Sequence, residues 1–224
     1  MSIPILLFEI YHQQWSSIFI FLFLLPIVIL DWDVSRFQVR RNFFDWIPSD
    51  AIEWKAGLRK YFWFFSLVWL LTIVTSFFVG SIPLGLFLLG VLCVNFFENC
   101  ESDQILYSYE RSPKSLIKLK LIRQLELFAL CTWPLIGLFL FFHWDYWYIL
   151  VIEFFVFCSL HLYMICLKYA FFKPGKKSTT TVLYGIIGFI CSITTILLPI
   201  VWLMSIWFYY QSLQKLNFYL DDYN

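Results

Sequence analysis

Apolar residues fall along this chain in long runs, not in the alternation of a half-buried strand or the narrow stripe of a soluble helix. "SSIFIFLFLLPIVIL" and "YGIIGFICSITTILLPIVWLMSIWF" are two such runs. A helix that crosses a bilayer needs about 20 mainly apolar residues, each rising about 1.5 Å. Shorter spans are tolerated where the bilayer thins, and six segments then qualify, at 15–31, 61–79, 83–98, 125–142, 146–168 and 182–209. The breaks between them have their own chemistry. "GSIP" at 80–83 pairs Gly with Pro, "HWDYW" at 143–147 has aromatics suited to a headgroup layer, and "KPGKKSTTT" at 173–181 precedes the last run. The expected architecture is all-α, a single polytopic domain over 1–224 with about six spans.

One central segment departs from the pattern. "ENCESDQILYSYERSPKSLIKLKLIRQLE" is dense in charge, and its core at 99–124 separates the third run from the fourth. Ile105, Leu106 and Tyr109 share one helical face, and Pro113 then bends the chain by fixing its own φ and restricting Ser112. Ser112 is placed to cap a second helix in which Leu116, Ile117 and Leu121 pack. Lys114, Lys118, Lys120 and Arg123 make that helix basic, which suits the lipid face of the cytoplasmic leaflet.

Composition narrows the class. The chain is 61% hydrophobic and 14% charged with mean hydropathy +0.76, against about 25% charged for a soluble domain. A soluble core could not hide that much apolar surface, so lipid must cover it. Net charge is +1, which excludes the broad basic field of a nucleic-acid binder. Of 16 lysines and arginines, all but Lys215 lie on three connectors that six spans place on one side. The positive-inside rule makes that side cytoplasmic and both termini extracytoplasmic. Against this, Leu213, Leu216 and Leu220 have the spacing of an interfacial helix of a kind common on the cytoplasmic face.

The central segment resembles the stretch after the second conserved span in ABC-2-type transporter permeases. In that family an acidic residue precedes a short coupling helix, followed by P-x-S and a basic residue about ten positions on. Glu101, Leu106, Pro113, Ser115 and Arg123 stand at the matching positions, while Gln104-Ile105 replaces the usual Gly-Thr pair. Upstream, "IEWKAGLRKYFWFFSLVWLL" is similar to the family's basic connecting helix leading into a span. The resemblance implies a permease subunit of an ABC exporter, multi-pass in a bacterial cytoplasmic (inner) membrane. It implies two partners, a separate ABC ATPase subunit that carries ATP and Mg, and a second permease, identical or homologous. No cofactor and no catalysis are expected in this chain itself. Ile105, Leu106 and Tyr109 would then enter an ATPase groove, with Glu101 and Arg111 at its rim.

Polar groups within spans are the other candidates, because they are costly there. Asn95, Glu153 and His161 are of this kind, and Cys158 and Met164 share the helix of the last two. A membrane-embedded enzyme or a haem- or metal-handling protein centred on Glu153 and His161 is one alternative, and a non-ABC transporter or assembly subunit is another. One helix offers too few convergent ligands for a metal, so no metal site is assigned. The six cysteines have no CxxC or zinc spacing and read as reduced packing residues. No P-loop, catalytic triad order or HExxH is present.

Overall fold

The computed structural model describes residues 46–97, 101–109, 111–173 and 179–220, and among them every regular element is helical. The helices are α1 (Ile52–Val74), α2 (Ser81–Asn95), α3 (Asp103–Tyr107), α4 (Pro113–Phe142), α5 (Trp147–Ala170), α6 (Thr179–Ile193) and α7 (Leu198–Leu220). Short 3₁₀ turns at Trp144–Tyr146 and Thr195–Leu197 join α4 to α5 and α6 to α7. Among the described residues three stretches, Ile52–Val74, Pro113–Phe142 and Trp144–Ala170, are long and apolar enough to cross a membrane. The chain is therefore a membrane protein. The run expected at 15–31 lies outside the described residues.

Local chemistry accounts for most boundaries. Pro113, which has no N–H to leave unsatisfied, opens α4 with Ser112 extended before it, but the expected Ser112 side-chain cap is not made. Thirty residues make α4 about 45 Å long, more than the roughly 30 Å hydrocarbon core, so its first turns stand at or beyond the interface. Tyr61 (φ −113°, ψ 16°) interrupts α1 and divides a piece bearing Lys55, Arg59 and Lys60 from an apolar piece ending at Val74. Glycine lets the helices close up. A Cβ at Gly90 would run into the Phe157 ring, and one at Gly188 into the Tyr163 ring, so both helices pack against α5 by lacking a side chain there.

α5 is the axis of the bundle, buried from His161 to Ala170 except for two half-exposed positions. α2 runs parallel to it, with Gly90 beside Phe157 and Phe97 beside Lys168. α1 and α4 run parallel to each other, tied by Trp54 to Gln124 at one end and by His143 to Ser76 O (3.2 Å) at the other. The starts of α1 and α4 and the ends of α2 and α5 therefore meet at one end.

The C-terminal run differs from expectation. The stretch 182–209 is not one span but two helices folded back on each other. Tyr163 meets Gly188 of α6 and Phe208 of α7, while Tyr184 and Phe208 are themselves in contact, 5.5 Å between ring centroids. Ser192 and Thr194 turn their hydroxyls back to the carbonyls of Gly188 and Ile190, which weakens the end of α6. Pro199 then sits in the first turn of α7. α7 runs parallel to α5, with Trp202 bonded to Ser159 and Tyr219 against Phe172, so its end lies beside the end of α5. The tail helix, expected on the side opposite the basic connectors, instead ends beside them. Lys215 ceases to be an exception, and every described lysine and arginine lies at the same end of the bundle. The turns at the opposite end, 75–80, 143–146 and 194–197, carry none.

Candidate functional site

Four buried charges converge at the basic end. Glu53 enters from the first turn of α1, where a carboxylate favours the helix dipole, and Lys168 from the last turn of α5, where an ammonium does. Glu101 comes from the segment before α3, and Lys120 from the third turn of α4. None is more than 7% exposed. The Lys120 ammonium donates to Glu53 Oε1 and Oε2 (3.0 and 2.9 Å), to Glu101 Oε1 (2.6 Å) and to the Tyr109 hydroxyl (2.7 Å). Lys168 donates to Glu53 Oε1 at 3.1 Å and lies 3.9 Å from Glu101 Oε1. Tyr169 donates to the second Glu101 oxygen at 3.0 Å.

Around this centre the shell is also polar. The Tyr109 hydroxyl donates a hydrogen bond to Asp50 O (2.9 Å), and Arg123 joins the Asp50 side chain (2.9 Å) and Glu126 (2.9 Å). Trp54 donates to Gln124, whose Nε2 has no partner among the described residues. Burial pushes the Glu101 carboxyl above the usual carboxylate range, and the neighbouring Glu53 charge adds to this, with Lys168 and Lys120 opposing. Burial likewise raises the Tyr109 hydroxyl, against the pull of Lys120. Chemically the cluster is a neutral set of two acids and two bases. It ties the 101–109 segment to α1, α4 and α5.

The residues expected at a partner surface divide. Glu101 is not at a rim but 7% exposed and bonded within the chain. Leu106 is 1% exposed in the chain's own core, because the Glu101 ion pairs draw that face of α3 inward. Tyr109 is half-buried and committed to Lys120 and Asp50, while Ile105 is half-buried. Gln104, Ser108 and Arg111 are exposed, and Pro113 and Ser115 are half-buried. Lys120, expected to face lipid headgroups, instead points into the protein. Its position was the legible signal, since it falls on the helical face of Leu116, Ile117 and Gln124. Glu53, Lys168 and Tyr169 were not singled out in the sequence.

The intramembrane candidates are not brought together. Asn95 is exposed at the end of α2. His161 donates through Nδ1 to Phe157 O (2.6 Å) and packs on Phe128, leaving Nε2 as an acceptor with no partner among the described residues. Both oxygens of buried Glu153 lack a partner there too. Among the described residues no three His, Cys, Asp or Glu side chains are grouped to hold a metal. Cys93, Cys131, Cys158, Cys166 and Cys191 are unpaired thiols, and Cys100 lies outside the described residues. No protein family model, curated protein or solved structure matches the chain.

Proposed function

We propose that this chain is the membrane-spanning permease subunit of an ABC transporter, with the buried cluster fixing its 101–109 segment to the bundle as a lever. The supporting observation is the Lys120 ammonium, which holds Glu53, Glu101 and Tyr109 at once. Two buried ion pairs are a poor device for stability alone, because well-packed apolar residues would do as well. They do make a polar segment move with the helices that it touches. A force applied to α3 by a separate ATPase would pass through Glu101 to the starts of α1 and α4 and the end of α5. Such a bundle needs two packings of similar energy, and ATP supplies the bias between them.

On this reading the basic end is cytoplasmic, in a bacterial inner membrane, and six crossings arise from α1, α2, α4, α5, α6 and α7. The kinked α1 fits a connecting piece leading into a span. The ATPase would meet Gln104, Ile105, Ser108 and Arg111, not Leu106. A second permease copy would complete the path. The test is co-purification of an ATP-hydrolysing subunit with the full chain from its native membrane. Ile105→Glu with Arg111→Glu should deplete that subunit while leaving the chain folded by its tryptophan fluorescence. Absence of any such subunit, or its indifference to these changes, would reject the reading.

A second reading rests on Glu153 and His161, whose polar atoms lack partners among the described residues. It makes the chain a membrane-embedded enzyme or a metal- or haem-handling protein. Stoichiometric metal or haem in the purified protein, lost on His161→Ala, would favour it.

A further inference from the structure

A second polar feature lies at the basic end, apart from the charge cluster. The end of α5, the start of α6 and the end of α7 enclose an open cavity of about 450 Å³. Lys173 and Lys215 line it, together with Thr180, Gln211, Gln214 and Phe218, and no Asp or Glu is among its described lining residues. Lys120 and Lys168 are fully compensated by carboxylates, but neither cavity lysine has a carboxylate partner among the described residues. Lys215 rests over the rings of Phe218 and Tyr219, at 5.9 and 5.6 Å, and no described carboxylate pairs with it. Gln211 and Gln214 bring side-chain amides, whose NH2 groups are hydrogen-bond donors, to the same lining. Two cations and two amides that share a concavity form a receptor for an anion with several oxygens.

The position of the cavity bears on the source of such an anion. The flanking helix faces are apolar and exposed, with Val182 and Leu183 on α6 and Trp207 on α7. An anion seated here would have hydrocarbon chains beside it. We propose that the cavity holds the phosphate of an anionic phospholipid from the leaflet at the basic end. Its acyl chains would lie along the outer faces of α6 and α7. Basic pockets between membrane helices on the side with most positive charge suit such headgroups. Occupancy would pin α7 to α5 where Phe172 and Tyr219 meet.

The test uses the full chain in neutral detergent, titrated with phosphatidylglycerol, phosphatidylcholine or inorganic phosphate and read by native mass spectrometry and thermal unfolding. Phosphatidylglycerol should be retained and raise the unfolding midpoint, while phosphatidylcholine should do neither. Lys173→Gln with Lys215→Gln should weaken retention roughly thirtyfold, from the usual contribution of each lysine. Lys114→Gln with Lys118→Gln removes the same charge at the same end and should change retention less than about twofold. Equal loss in the two double variants would make the effect one of general surface charge and overturn the site. Unchanged retention in the cavity variant, or equal binding of phosphatidylcholine, would do the same. Binding of inorganic phosphate without lipid retention would assign the cavity to a soluble anion and overturn the lipid assignment.

Discussion

The Lys120 ammonium and the Glu101 carboxylate meet at 2.6 Å across the bend that Pro113 makes, both inside the protein. This pair joins a polar loop to a helix long enough to cross a membrane. Its removal should be felt beyond the two residues.

Lys120→Met leaves Glu53 and Glu101 facing each other with only Lys168 to compensate them. Loss of one partner from a buried ion pair costs about 3–5 kcal/mol, so the unfolding midpoint in denaturant should fall sharply. Adding Glu53→Gln removes the uncompensated charge and should restore part of the loss. A double variant whose loss equals the sum of the two single losses would show that the residues are not coupled.

Glu101 carries a pH dependence of definite sign. Its folded carboxyl titrates above the unfolded value, chiefly through burial, so the folded state holds the proton longer. Stability contributed by this group is present in acid and falls as pH rises from the ordinary carboxylate value through the raised one. The unfolding midpoint of the native protein minus that of Glu101→Gln should therefore decline with rising pH and then level off. A difference that grows with pH would mean that the ion pairs outweigh burial.

The folding back of α6 and α7 is open to labelling. In a cysteine-free background, cysteines at 118 and 215 should react from one side of the membrane and those at 145 and 196 from the other. Position 215 reacting together with 145 would restore a single continuous last span.

Packing on α5 gives a stability test without charge. Gly188→Leu drives a side chain into the Tyr163 ring and threatens the Tyr163 bond to Tyr184 O (2.8 Å). Overpacking of this kind costs about 1–3 kcal/mol. Gly137→Leu, where a Cβ meets nothing within 4 Å, should cost much less. Similar midpoints for the two variants would argue against close packing of α6 on α5.

Membrane class, all-helical build and the gathering of positive charge were legible along the chain. They follow from run length, turn residues and local composition, none of which needs a distant partner. The bend at Pro113 and the turn near 143–147 were legible for the same reason. The division of 182–209 was not, because an unbroken apolar run has the same composition whether it crosses once or folds back at Thr194–Leu197. Nor was the inward face of α3. Leu106, Ile105 and Tyr109 share a helical face in sequence, and only the pull of Lys120 and Tyr169 on Glu101 decides that Leu106 turns to the core. The charge cluster itself is wholly tertiary. Glu53 lies 67 residues from Lys120 and 115 from Lys168, so no local pattern links them. A lysine on an apolar helical face is tolerable only once its carboxylates are in place, and the folded bundle alone brings them there.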